Sequence, residues 1–372
     1  MWIWQQESWP DFYWDQRTLA PMLRKARLAQ GVLLGKMSSQ TDTQQQTFLD
    51  TLLANIVYSS AIEGEKLNAF SVRSSLAKRL GVEEETPFPT TAQTEGFAEV
   101  MLDAVQNFGI PLSLDRILAW HEKLFPEGQS IIQQEIKGGY LRGDEPMQVV
   151  SGRIDRPTVH FVAPDREGLE KELEHFINWF NESKQDELID PMTRAAIVHL
   201  WFVTLHPLED GNGRITRLLT DLALAQAEQQ SVRFYAMSVT ILEKRNSYYE
   251  TLERTQKGDL DITNWLVWFL DTLLCTLESA IDSIEQTVFK TNYWRKIDQT
   301  KLTTEQAKVL NRLLDGDFEL GINASQYQKV AKVSRPTATR HLAALVELGC
   351  LEKSEAGGRS TRYFLKTDSS VL

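Results

Sequence analysis

The sequence predicts a mainly α-helical protein: a helical bundle interrupted by one β-hairpin, then a small unit of three helices and a second hairpin. Three observations lead there. Apolar residues recur at spacings of three and four through most of the chain up to about residue 290, the mark of helices that bury one face. Residues 138–164, GGYLRGDEPMQVVSGRIDRPTVHFVAP, replace that spacing with glycine, proline and β-branched residues. From Thr303 onward, three short helical segments give way to strand, Gly-Gly turn and strand.

Composition sets the outer bounds. The chain has 372 residues, 42% hydrophobic and 24% charged, which suits two or three domains with a substantial core. Lys and Arg number 40 against 51 Asp and Glu, a formal charge of −11. Such a balance excludes coating nucleic acid or anionic membrane over the whole surface, although a local basic patch stays compatible. The two cysteines, Cys275 and Cys350, are far apart and form no CxxC, which excludes a disulfide framework and a cysteine-zinc site and fits a reducing compartment. The first residues, MWIWQQESWPDFYWD, have neither the basic nor the apolar segment of a secretory signal. The most apolar stretch, 264–281, contains Asp271 and Glu278 and reads as a buried helix rather than a membrane span. The expectation is a soluble cytoplasmic protein without membrane contact.

Four of the ten tryptophans, Trp2, Trp4, Trp9 and Trp14, lie in an N-terminal arm expected to dock on the body. Helical spacing runs from Thr18 to about Arg79, with Phe48, Leu52, Leu53, Ile56 and Val57 on one face. Residues 82–91, VEEETPFPTT, read as an exposed loop. Helices are expected at 92–108 and 113–125, the second capped by Ser113. In the irregular stretch, QVV and TVHFV flank a turn-rich SGRIDRP, which predicts a hairpin. Further helices are predicted over 165–183, 191–205, 214–229, 238–257 and 262–285. TTEQAKVLNRLLDG, NASQYQKVAKV and SRPTATRHLAALVELG then read as three helices, the last with a capping serine and proline in its first turn. With the strands of CLEKSEAGGRSTRYFLK, this order is that of a winged helix-turn-helix.

The chemistry concentrates in His206-Pro-Leu-Glu-Asp-Gly-Asn-Gly-Arg-Ile-Thr-Arg217. An apolar helix runs into His206 and Pro207 ends it. Gly211 and Gly213 flank Asn212 and permit a sharp turn into a new helix. The free N–H groups of that helix start, and its dipole, favour an anion, most often phosphate. Arg214 and Arg217, three apart, can both fork onto phosphate oxygens. Asp210 is a natural Mg²⁺ ligand beside such a cradle. His206 is the one group here that titrates near neutrality and could accept a proton from an attacking hydroxyl. No GxxxxGK[ST] or HExxH is present, and His121, His160, His175 and His199 show no ligand spacing.

HPLEDGNGRITR resembles the Fic (filamentation induced by cAMP) signature, HPFx[D/E]GNGRxxR, with Leu208 in place of the usual Phe. The likeness extends over about 90–290 and includes the IxxxHxxLF-like stretch Ile117–Phe125. It implies a Fic-type helical bundle with a hairpin flap, and transfer of AMP from ATP to a Ser, Thr or Tyr hydroxyl of a protein, itself included, with release of pyrophosphate. It further implies His206 as general base and Asp210 as Mg²⁺ ligand. Gly211, Asn212 and Gly213 would line the α-phosphate, with Arg214 on the α/β and Arg217 on the γ-phosphate. Val150, Ser151, Gly152 and Arg153 belong to the flap over the nucleotide, Tyr248 and Tyr249 would pack the adenine, and Gln256 stands where some members carry an Asn. Many members form dimers, so a homodimer stays open. So do removal of AMP, and transfer of another nucleotide or phosphate.

Residues 59–65, SSAIEGE, match the family's inhibitory pattern [S/T]xxxE[G/N] as Ser59, Glu63 and Gly64. The resemblance implies that Glu63 takes the guanidinium of Arg217 in place of the γ-phosphate; residue types alone fit an ordinary helix end as well. The expected organisation is 1–90, a Trp-rich arm and helices including the inhibitory one; 91–290, the catalytic domain; and 300–372, the winged helix. Residues 303–372 carry a net +2 against −13 for the remainder. Arg335, Thr337, Arg340, Arg359 and Arg362 would face DNA, and protein docking is equally open. A nucleotide-sensing DNA-binding regulator is the non-enzyme alternative.

Overall fold

The structure is a computed structural model that describes residues 1–38, 44–126, 130–131, 134–153, 156–230, 233–354 and 361–366. The chain divides into two compact units, Met1–Ala280 and Ile281–Leu372.

In the first unit the helices are α1 (Gln16–Ser38), α2 (Gln44–Ile62), α3 (Ala69–Leu80), α4 (Ala92–Gln106), α5 (Leu114–Leu124), α6 (Leu169–Glu182), α7 (Pro191–Leu205), α8 (Asn212–Glu228), α9 (Met237–Glu243), α10 (Arg245–Gln256) and the start of α11 (Thr263–Lys296). Helix α7 is the centre. Asp190 caps it by accepting from the N–H groups of Met192 and Thr193, and Pro191 occupies the first turn. All residues from Met192 to Leu205 are buried, so the helix is wrapped on every side, as its run AAIVHLWFV requires. Helix α8 packs along it, and α2 lies against α3, α4, α8 and α9.

The tryptophan arm docks as expected. Trp4 donates to the Val162 carbonyl at 2.8 Å and Trp9 to Glu172 at 3.1 Å, while Trp2 meets Phe161 edge-on. Two short strands, β1 (Ser130–Ile131) and β2 (Gln134–Glu135), pair where no element was expected. The hairpin is β3 (Gln148–Arg153) against β4 (Arg156–Val162), antiparallel from Gln148↔Val162 to Arg153↔Arg156. It is longer than predicted: most of SGRIDRP is strand, because Pro157 is tolerated in a two-stranded ribbon with a free edge.

Two helix boundaries differ from expectation. The helix read over 238–257 is two, broken at Lys244, whose ammonium is anchored at 2.7 Å to Asp271 on α11. No glycine or proline announces that break. Helix α11 also runs eleven residues past the expected Glu285. Among the described residues, no helix is long and apolar enough to cross a membrane.

The second unit comprises the end of α11, α12 (Thr304–Leu314), α13 (Ala324–Ala331), α14 (Arg335–Glu347), and an antiparallel pair β5 (Leu351–Lys353) and β6 (Tyr363–Leu365). It has its own core of Val309, Leu310, Ile322, Tyr327, Leu342 and Leu345.

Candidate active site

Helix α7 ends on His206, which adopts a left-handed conformation (φ 47°) uncommon outside glycine. The turn is held from behind by Arg142, a buried residue that the sequence did not single out. Its Nε donates to the His206 carbonyl at 3.0 Å, its Nη2 to Pro164, and its backbone N–H to Pro207. The Nδ1 atom of His206 lies 3.1 Å from the Val203 carbonyl. A carbonyl only accepts, so Nδ1 carries the proton and Nε2 is left as an acceptor. Burial lowers the His206 pKa more than the Val203 carbonyl and Glu63 raise it, which keeps the ring neutral.

The loop that follows is braced internally. Asn212 accepts from the Leu208 N–H at 2.9 Å and donates to the Leu208 carbonyl at 2.7 Å. Both ends of its carboxamide thus brace the loop and fix the shape of the cradle. Gly211 caps α8 with φ 81°, and a Cβ there would come within 2.8 Å of the Phe125 ring. Beside it, the Arg214 guanidinium lies 4.6 Å from the same ring. His121, on α5, accepts the Gly139 N–H at 3.2 Å and is fully buried beneath this turn. The Asp210 carboxylate is exposed, accepts the Gly211 N–H, and sits 3.5 Å from Arg214.

Two carboxylates from the end of α2 enter this cradle. Glu63 Oε1 accepts from Arg217 Nη2 at 2.7 Å. The same guanidinium donates to Ser59 Oγ at 2.7 Å and to the Ser59 carbonyl at 2.9 Å. The Glu63 oxygen lies so close to Gly213 that a Cβ there would come within 2.0 Å of it. Burial pushes the Glu63 carboxyl up, but Arg217 and Arg214 pull it down by more, so it stays ionised. Gly64, at φ 83°, turns the chain so that Glu65 reaches Arg214 Nη1 at 2.7 Å. Glu65 lay inside the SSAIEGE stretch, yet nothing in its spacing marked it as a partner of Arg214. Among the described residues, Arg214 Nε and Arg217 Nη1 are buried donors without a hydrogen-bond partner.

The flanking residues divide. Tyr249 is partly exposed, with the Arg245 guanidinium 5.5 Å from its ring, and its hydroxyl lies 3.4 Å from the Ile62 carbonyl. Tyr248 is not: it is buried against Trp265 and Trp268, with its hydroxyl 3.0 Å from His199 Nε2. Its expected place against an adenine is corrected to a place in the core. Gln256 is likewise buried and donates to Thr204 Oγ1, a structural tie between α10 and α7. On β3, Val150, Ser151 and Gly152 are exposed, and the Arg153 side chain lies outside the described residues.

In the second unit Arg335 and Arg340 are exposed on α14. Thr337 closes the helix cap with Ser334. Arg362 is half-buried, and its Nη1 donates to the Gly321 carbonyl and to Gln326. Arg359 lies outside the described residues.

Residues 2–82 match a domain of unknown function (DUF4172), and residues 111–224 match the Fic/DOC family. Over 220 residues the chain is 27% identical to the protein adenylyltransferase fic-1 of Caenorhabditis elegans, covering 57% of this chain and 38% of that protein. It is 28% identical to the protein adenylyltransferase Fic of Nematostella vectensis over 55% of this chain and 44% of that one. The chain thus spans less than half the length of these curated relatives. The fold matches the crystal structure of a Fic family protein from Desulfovibrio desulfuricans with a TM-score of 0.55 at 17% identity, over 96% of this chain and 99% of that one. The helical core around His206 and the match over 111–224 identify a Fic/DOC-family domain in this chain.

Proposed function

We propose that this chain is a protein adenylyltransferase that moves AMP from ATP to a Ser, Thr or Tyr hydroxyl of a protein and is held inactive by Glu63. One observation carries the reading: a half-buried, neutral imidazole with its Nδ1 tied to Val203 stands beside a helix N-terminus bearing two buried guanidinium groups. In the reaction, the target hydroxyl gives its proton to His206 Nε2 as its oxygen bonds to the α-phosphorus. The bond from that phosphorus to the bridging oxygen breaks, and pyrophosphate leaves. The first amides of α8, Arg214 and Arg217 hold the triphosphate and offset the charge on the leaving group. Asp210 suits one Mg²⁺, which takes oxygens from one or two carboxylates and substrate phosphates and would neutralise phosphate charge. Tyr249 offers the ring face for adenine.

The inhibition follows from competition. Arg217 already serves Glu63 and Ser59, and a γ-phosphate needs the same donors. Glu63→Gly is expected to raise incorporation of label from α-labelled ATP into protein strongly over wild type. Labelling no greater than wild type would remove the inhibitory role. Addition of His206→Ala should leave nucleotide binding while cutting transfer about 10²–10⁴-fold; unchanged transfer excludes His206 as the base. Removal of AMP is a second reading, favoured by the ionised Glu63 carboxylate near His206, and loss of AMP from a modified protein would reveal it.

For domains, we assign 1–90 to the arm and inhibitory helix, 91–290 to catalysis, and 300–372 to a winged helix. Exposed Arg335 and Arg340 support phosphate contacts by that last domain. A gel-shift titration over a salt series tests this; absence of a salt-dependent shift would leave protein docking.

A further inference from the structure

A second chain of polar groups lies outside the phosphate cradle. Ser151 Oγ on β3 is 2.6 Å from His160 Nε2 on β4. His160 Nδ1 is 2.8 Å from Glu253 Oε2 on α10. The other oxygen of Glu253 accepts from Lys257 at 2.5 Å.

The hairpin register explains how these groups meet. Val149 pairs with Phe161 and Val150 with Val159, which leaves His160 as the extra residue of a β-bulge. A bulge re-aims its side chain, and His160 turns toward α10 rather than across the ladder. The direction of each bond follows from chemistry. A carboxylate only accepts, so His160 Nδ1 donates to Glu253, and Nε2 is left to accept from the Ser151 hydroxyl. Lys257 and His160 outweigh the small cost of burial and hold the Glu253 carboxyl below its usual range. The order is nucleophile, base, orienting carboxylate. Glu253 also stands one helical turn beyond Tyr249, about 6 Å along the axis, and the Tyr249 hydroxyl touches the chain next to Glu63.

We propose that Ser151 is an AMP acceptor of this chain, a modification site on the hairpin whose hydroxyl is activated by His160 and Glu253. The inference rests on the adenylyltransferase reading, since ATP supplies the AMP. Ser151 passes its proton to His160 Nε2 as Oγ bonds to the α-phosphorus. The bond from that phosphorus to the bridging oxygen breaks, and pyrophosphate leaves. Glu253 stabilises the imidazolium until its proton passes to water. Ser151 is exposed on β3, so reagents in solvent can reach it.

The test uses the full chain carrying Glu63→Gly, incubated with ATP and Mg²⁺, with AMP located by peptide fragmentation mass spectrometry. AMP is expected on Ser151. Adding His160→Gln should lower that label about 10²-fold relative to label on other hydroxyls of the same chain, the lower range for a positioned base. Glu253→Gln, which keeps the shape but not the charge, should lower it about tenfold. AMP on other hydroxyls of this chain or on other proteins, with Ser151 bare, overturns the site while leaving the adenylyltransferase reading intact. Ser151 label unaltered by both substitutions overturns the relay and reduces these groups to a tether of the hairpin. AMP on no residue of any protein overturns both readings.

Discussion

Arg214 and Arg217 look alike in the sequence, but each has its own acid. Arg217 is engaged by Glu63 and Ser59, Arg214 by Glu65 and Asp210, and Gly64 makes the double approach feasible by turning the chain between the two glutamates. Glu65 is also gripped by Gln93 at 2.5 Å, so its carboxylate is placed rather than loose. A partly exposed pair of this kind contributes on the order of 1 kcal/mol. Glu65→Gln should therefore tighten ATP binding by the Glu63→Gly chain about fivefold, read by calorimetric titration. Equal affinities would show that Arg214 is not held back by Glu65. His160 and His121 illustrate the limit of reading single residues: neither had ligand spacing, yet one sits between a serine and a glutamate and the other under the Gly211 turn.

At the scale of elements, the site is a meeting of helix ends. The C-terminal end of α2 presents the Ser59 carbonyl and Glu63 to the first turn of α8, where the α8 dipole and both arginines are positive. Helix α5 and the residue that caps its C-terminal end supply the floor, through His121 and Phe125. Gly211 allows that floor to approach, since it combines a positive φ with a Phe125 ring in the place of a side chain. Gly211→Ala is expected to cost about 1–3 kcal/mol of stability and to abolish transfer. A urea midpoint equal to wild type would refute the close approach. The elements themselves were largely legible: the caps Ser113 and Ser334 and the periods of α4, α5, α7 and α12 mark helices that exist. The break at Lys244 and the extra length of α11 were not, because a long-range ion pair and packing against another element decide them.

At the scale of the molecule, the buried histidines link stability to pH. Burial lowers His121 from the usual 6.5 to about 4, and His199 from 6.5 to about 3. As pH falls below 6.5, the unfolded chain takes up these protons first. The stabilisation is therefore whole above pH 6.5 and is lost as pH falls toward 4 for His121 and 3 for His199. The loss by pH 5 should be about 2 kcal/mol for each histidine. Urea unfolding at pH 7.5 and pH 5 checks this, and His121→Gln should flatten part of the slope; a midpoint that does not move between these pH values would sink the argument.

From the amino acids alone came the helical class, the hairpin, the helix-helix-helix-hairpin order at the end, and the His206–Arg217 cradle. These are written locally, in periodicity, caps and a glycine-flanked turn, where a few neighbouring side chains settle the outcome. Only the tertiary structure decided that Glu65 faces Arg214, that Arg142 backs His206, that Tyr248 lies in the core and that Ser151, His160 and Glu253 form one line. Those outcomes depend on segments far apart in the chain, and no local pattern records which distant side chain will arrive to satisfy a buried charge.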